Sequence, residues 1–178
     1  LVITLGTGLG SGIVANGEMI YGHDGFAGEL GHVTIERGGR LCGCGRHGCL
    51  ETYCSATGIV RTYRELKSNV DDSVDSKEIT RRALEGEAEA QEAYRFTGEM
   101  LGYALSNFAA ITSPEMIILF GGLVKAGDLL LNPVREAFEA NLLNIYRGKI
   151  KIKISELHES DAALLGSASL IYREAFKE

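Results

Sequence analysis

No stretch of this 178-residue chain approaches the ~18–20 consecutive apolar residues that a membrane-spanning helix requires. Nor does it open on the basic start, apolar run and small-residue cleavage site of a secretory signal. These absences lead us to expect a cytoplasmic protein. A basic stripe is missing as well. The 24 acidic residues outnumber the 18 basic ones, for a net charge of −6, and both signs are interspersed, so no surface is set up to neutralise a phosphate backbone. Direct nucleic-acid contact by this segment is therefore not expected. There is no internal repeat and no low-complexity tract. There is no initiator Met either: Leu1 opens directly on the apolar run LVITL, from which an upstream portion is expected. What remains is an ordinary globular composition, long enough to bury one core.

Residues 1–5 and 11–15 read as short strands joined by the Gly-rich stretch from Gly6 to Gly12. Asn16-Gly17 follows between apolar runs and predicts a hairpin leading into Glu18–Tyr21, since both turn positions need positive φ. From Gly22 to Gly48 the chain has little periodicity and few apolar residues, so something other than burial must order it. Helical spacing begins after Ser55, with Ile59, Tyr63 and Leu66 on one face. Val70–Ser76 reads as a surface loop. Helices follow at about 76–85 and 87–112, the second with an apolar face through Ala93, Phe96, Met100, Ala104 and Phe108. Ser113-Pro114 should end it. Met116–Phe120 is a strand-length apolar run, Gly121-Gly122 a break, and Asn132-Pro133 the expected cap and first residue of the next helix. Lys151–Ser155 alternates like a strand, and Asp161 is placed to cap a last helix from Ala162 to Phe176. The order predicts an α/β domain with a mixed sheet flanked by helices.

His32, Cys42, Cys44 and Cys49 crowd three thiols and an imidazole into one Gly-rich loop, a Cys3His set suited to tetrahedral zinc. A metal bonded to four side chains supplies the ordering free energy that this segment's sparse apolar content cannot. Disulfides are disfavoured by the lack of secretory context and by the closeness of Cys42 to Cys44. Spacing leaves two substitutions open: Cys54 for one of the thiols, and His47 for His32.

Two acids flank the set, Glu29 three residues before His32 and Glu51 two after Cys49. An imidazole bound to zinc through one nitrogen can donate from the other, and carboxylates beside it accept from hydroxyls, an arrangement suited to a polyol. Spacing alone favours instead both acids supporting the metal ligands or facing solvent. The opening Gly6–Gly12 could cradle phosphate with backbone N–H groups, aided by the Thr7 and Ser11 hydroxyls. It is neither a P-loop nor a dinucleotide fingerprint, because no Gly-Lys-Ser/Thr follows and a strand comes next. Gly121-Gly122, at the end of a buried strand, would let a nucleotide or another backbone approach closely.

Together LGTGLGSGIV, AGELGH, CGCGRHGCLE, ILFGG and DAALLGSA resemble the ROK family (repressors, open reading frames and kinases) along the whole chain. The resemblance implies an actin-like ATPase (ribonuclease H-like) fold, with ATP and sugar bound between two α/β domains. Residues 1–178 would then be the C-terminal (large) domain, with its zinc-clipped loop at 32–49, and the N-terminal domain would be absent from this chain. It further implies that Glu29, His32 and Glu51 bind sugar hydroxyls, that His32 is also a zinc ligand, that Thr7 and Gly8 meet the ATP phosphates, and that Gly121 and Gly122 meet the adenosine. Cys54 and His47 fall outside the family's ligand set. The expected activity is that of an ATP- and Mg²⁺-dependent hexose kinase, glucokinase-like, acting on glucose or an N-acetylated relative, as a homodimer. The family's Asp-x-Gly-Gly-Thr loop and the Asn-Asp pair bearing the catalytic base are not in this chain, so the segment alone is expected to be inactive. The rival expectation is a sugar-responsive repressor of the same family with a helix-turn-helix upstream. A third is a purely structural zinc module.

Overall fold

In the computed structural model, which describes residues 1–176, the alternating burial of VITL makes β1 (Val2–Leu5) the second strand of a four-stranded sheet, with Ile3 and Leu5 fully buried. β2 (Leu9–Gly12) returns antiparallel beside it, Leu5 opposite Leu9, so Gly6-Thr7-Gly8 forms the whole turn. A two-residue pair, β3 (Val14–Ala15) and β4 (Glu18–Met19), closes the expected hairpin over Asn16 and Gly17, both at positive φ. On its other side β1 pairs in parallel with β5 (Met116–Phe120), which pairs in parallel with β6 (Lys151–Ile154). The sheet is therefore mixed, in the order β2-β1-β5-β6. The strand expected at 11–15 is displaced, because the antiparallel register with β1 starts the pairing at Leu9.

Helices cover this sheet. α1 (Ala56–Leu66) is capped by Ser55, whose hydroxyl accepts from the Gly58 N–H, and α2 (Ser76–Leu84) by Asp75, which accepts from Glu78 N. Ile59 and Tyr63 of α1 are fully buried as expected, whereas Leu66 in its last turn is exposed. α3 (Ala88–Thr112) ends at Ser113 in the left-handed region, ahead of Pro114.

Two details of the helices depart from the apolar pattern. The buried face of α3 is centred on Leu101 and Leu105, with Phe96 and Met100 at its edge, because α4 (Asp128–Asn141) lies directly over Gly98 and Gly102. A β-carbon at Gly102 would come within 2.4 Å of the Val134 carbonyl oxygen. Small residues made this contact invisible to a search for apolar periodicity. α4 also starts at Asp128 rather than Pro133, its N-terminal turn closed by the Gly127 carbonyl, and Pro133 sits inside the helix with its ring against Gly98. The last helix, α5 (Glu159–Ala175), begins two residues before the expected Asp161 cap. Except for Ala162, its described side chains are exposed all round, Leu164, Leu165, Leu170, Ile171 and Tyr172 among them, and exposed Phe176 follows. Among the described residues no helix is long and apolar enough to cross a membrane.

Candidate functional site

The segment between β4 and α1 carries the chemistry, and backbone contacts lay it across the sheet edge. Ser11 of β2 holds the first part, its hydroxyl donating to the Gly28 carbonyl and accepting from Leu30 N at 3.2 Å. That hydroxyl is thus engaged in fastening a turn, which corrects its expected role at phosphate. The turn Leu30–His32 then rests on β2 so closely that a β-carbon at Gly31 would fall 2.3 Å from the Leu9 carbonyl. A second turn, Leu50–Thr52, lies beside it through Leu50 N to the Val33 carbonyl at 3.0 Å.

Between these turns the four expected ligands converge. His32, Cys42, Cys44 and Cys49 place their ligand atoms within 4.8 Å of one another. The Cys44–Cys49 sulfur separation is 3.6 Å, and Cys42 Sγ lies 3.7 Å from His32 Nδ1. Tetrahedral zinc with bonds of about 2.3 Å to sulfur would set such edges at about 3.8 Å, so the donor set and its geometry fit that ion. Burial pushes the Cys42 thiol up to about 12 and raises Cys49, whereas the Arg46 N–H draws Cys44 down to about 7. A divalent cation held by these residues would favour the thiolate form of all three cysteines. Both open substitutions resolve here. His47 stands apart, with Nδ1 3.0 Å from the Gly39 carbonyl, and Cys54 is fully buried with its thiol toward the Thr97 carbonyl. Neither belongs to the cluster.

Glu51 joins this cluster to the Gly-rich turn. Its Oε1 accepts from the Cys42 thiol at 3.0 Å and lies 3.6 Å from His32 Nδ1. Its Oε2 lies over Gly8, where a β-carbon would come within 2.7 Å of it. His32 Nδ1 faces Cys42 Sγ on one side and Glu51 Oε1 on the other. Glu29 is exposed at the start of the Leu30–His32 turn, and among the described residues its carboxylate makes no hydrogen bond or ion pair.

The Gly-rich turn and the second glycine pair meet in space. A cleft of about 520 Å³ is lined by Gly6, Gly8, Glu51, Phe120, Gly121 and Gly122, at the adjoining C-terminal ends of the parallel strands β1 and β5. Gly121, at φ 107°, packs against the Leu5 carbonyl, where a β-carbon would sit 2.5 Å away; Gly122 faces open space. A second cleft of about 410 Å³ on the other side of Gly8 is lined by Thr7, Leu41, Glu51, Thr57 and Arg61.

Two residues that sequence reasoning missed hold these parts in place. Thr57 donates to the Thr7 carbonyl at 2.9 Å, next to the Ala56 N–H bond to the Gly6 carbonyl, and so docks the start of α1 on the Gly-rich turn. Arg40, within the segment that joins His32 to Cys42, is buried with its guanidinium 4.5 Å from the Tyr53 ring centre. The only signal for either was a polar residue beside a motif.

Comparison with known proteins follows the same residues. A model of the ROK family matches residues 1–174. A glucokinase of Halalkalibacterium halodurans is 39% identical over 98% of the chain and 56% of its own length. A xylose repressor of Caldicellulosiruptor bescii is 30% identical over 96% of the chain and 45% of its own. Among solved structures, a ROK family glucokinase from Streptomyces griseus in complex with glucose and AMPPNP superposes with a TM-score of 0.83 at 32% identity, over 95% of this chain and 59% of that one. The chain thus spans somewhat over half the length of the kinases it matches.

Proposed function

Because the chain belongs to the ROK family, we propose that it forms the C-terminal, large part of an ATP-dependent hexose kinase of glucokinase type. The observation that carries this reading is the cleft in which Gly8 and the Gly121-Gly122 pair share one wall with Glu51. Two glycine stretches with accessible backbone suit a nucleotide, Thr7 and Gly8 at its phosphates and Gly121 and Gly122 at its adenosine. A carboxylate between them and the metal cluster suits a hydroxylated acceptor.

In this reading Glu29, His32 and Glu51 hold the hexose. Zinc held by His32, Cys42, Cys44 and Cys49 would fix the direction of the His32 ring, leaving Nε2 to meet a sugar hydroxyl. With Cys42 held as a thiolate, Glu51 Oε1 would lack the donor it has at 3.0 Å. A hexose hydroxyl is the natural replacement, because a half-buried carboxylate without a donor is costly. The chain's own residues thus bind and orient both substrates. The base that takes the hydroxyl proton as it attacks the γ-phosphate is assigned to none of them and belongs upstream. The exposed apolar side chains of α5 support this reading, as they offer a surface for a second domain. We take the working protein to be a homodimer, which light scattering would check.

The test is ADP release with glucose and N-acetylglucosamine as acceptors. The full-length protein should turn over with one of them and the 178-residue chain with neither; turnover by the isolated chain would contradict the assignment of the base. A repressor is the second reading, favoured by the similarity to the xylose repressor. The glycine-lined cleft favours the kinase, since a repressor has no need to hold ATP. Sequence-specific DNA binding without turnover would reverse the choice.

A further inference from the structure

Arg40 spans the gap between the two halves of the site. Its guanidinium donates on one side to the carbonyl of Thr52 at 2.8 Å, in the turn that presents Glu51. On the other it reaches α1, donating to the Gly58 carbonyl at 3.2 Å, to Thr62 Oγ1 at 2.9 Å and to Glu65 Oε2 at 2.5 Å. Its backbone N–H donates to the Tyr53 hydroxyl at 3.0 Å, and Gly39 keeps that hydroxyl close, since a β-carbon there would collide with it at 2.2 Å. A buried arginine whose guanidinium bonds all go to two separate elements is a strut, because a planar fork holds both partners at a fixed distance and angle.

The two elements matter because each ends at one half of the site. The Leu50–Thr52 turn carries Glu51 beside the metal cluster. The first turn of α1 holds the Gly-rich turn through Thr57 to the Thr7 carbonyl and Ala56 N to the Gly6 carbonyl. We propose that Arg40 is a positioning residue that sets the registration of Glu51 against the Thr7–Gly8 turn, so that occupancy of the hexose half is felt by the nucleotide half. Neither half needs Arg40 to exist. The metal ligands hold the cluster, and strand pairing of β1 with β2 holds the hairpin. What Arg40 controls is their relative placement, on which simultaneous binding and in-line transfer depend.

The proposal rests on the kinase reading, and the experiment separates the two. Binding of AMPPNP to the full-length protein is measured by calorimetry with and without saturating glucose, so that the coupling factor does not depend on the folded fraction. In the unmodified protein glucose should tighten AMPPNP roughly five-fold or more. Arg40→Met should keep one equivalent of zinc and bind each ligand alone within about three-fold, yet bring the coupling factor close to 1; Arg40→Lys should recover part of it. Should Arg40→Met fail to fold, the pair Thr62→Val with Glu65→Gln, which loosens only the α1 side, should lower the factor in the same direction. Unchanged coupling in these variants, with both ligands bound, would overturn the role of Arg40 alone. Binding of neither ligand by the unmodified protein would overturn the kinase reading and this proposal with it.

Discussion

The Glu51 carboxylate lies directly over Gly8, with Oε2 only 2.7 Å from where a β-carbon on Gly8 would stand. One acidic side chain therefore touches the Cys/His cluster through Oε1 and the Gly-rich turn through Oε2. Gly8 has no positive φ, so alanine is acceptable there to the backbone. Gly8→Ala should leave folding intact while pushing Glu51 aside, and should weaken glucose binding about ten-fold, the loss expected for one misdirected charged hydrogen bond of about 1.5 kcal/mol. Calorimetry on the full-length protein would read it, and unchanged affinity would detach Glu51 from the sugar.

The two histidines of the loop should separate cleanly. If His32 holds both zinc and sugar as proposed, zinc content and glucose affinity of His32→Ala should both fall at least ten-fold. His47, exposed and bonded to the Gly39 carbonyl, should be replaceable by Ala with one equivalent of zinc retained. Metal analysis of the two variants side by side decides it.

Cys54 should behave as a core residue. Its thiol is fully buried and turned to the Thr97 carbonyl, apart from the four-residue cluster. Cys54→Ala should keep full zinc and cost about 1 kcal/mol in denaturant unfolding, as for a small buried truncation. Loss of metal would show that the ligand set is misassigned.

The crossing of α3 and α4 makes the sharpest stability prediction. Alanine at Gly102 would gain about 1 kcal/mol of helix propensity, but its β-carbon would strike the Val134 backbone at 2.4 Å. Overpacking of this kind costs about 1–3 kcal/mol, and backbone cannot turn away as a side chain would. Gly102→Ala should therefore lower the unfolding midpoint; a rise would mean that the helices are free to separate.

Glu65 should shape the acid limb of stability. Burial raises its pKa, but hydrogen bonds from Arg40 and Arg61 outweigh that and leave it below the ordinary carboxylate range. A lowered folded-state pKa adds stability above the unfolded value of about 4.3, and that stability disappears as pH falls through the folded value. Glu65→Gln should flatten the loss of stability below about pH 4.5. At neutral pH the cost should stay under about 1 kcal/mol, because the side chain is half exposed.

The convergence of His32, Cys42, Cys44 and Cys49 was legible in the sequence because they are near neighbours in the chain. The sheet was legible because VITL and MIILF have the length and apolarity of buried strands. Arg40 was not, since Thr52, Gly58, Thr62 and Glu65 come to it only when α1 packs beneath the loop. Gly98 and Gly102 were silent for a related reason: their contribution is the closeness they permit, which an apolar pattern does not record. Pro133 misled because the rule that places proline at the first helical residue assumes no compensation, and here its ring fills the space above Gly98. Ser11 looked like a phosphate donor until the turn at Gly28–Leu30 claimed its hydroxyl.

The central claim is that a metal held by His32, Cys42, Cys44 and Cys49 aligns His32 and Glu51 for a hexose. The most direct measurement is glucose affinity of the full-length protein before chelation, after chelation, and after zinc is restored. One bound equivalent at the start, at least a ten-fold loss of affinity on its removal and recovery on its return are the predicted results. Glucose affinity that is unchanged once the zinc has been removed would contradict the account.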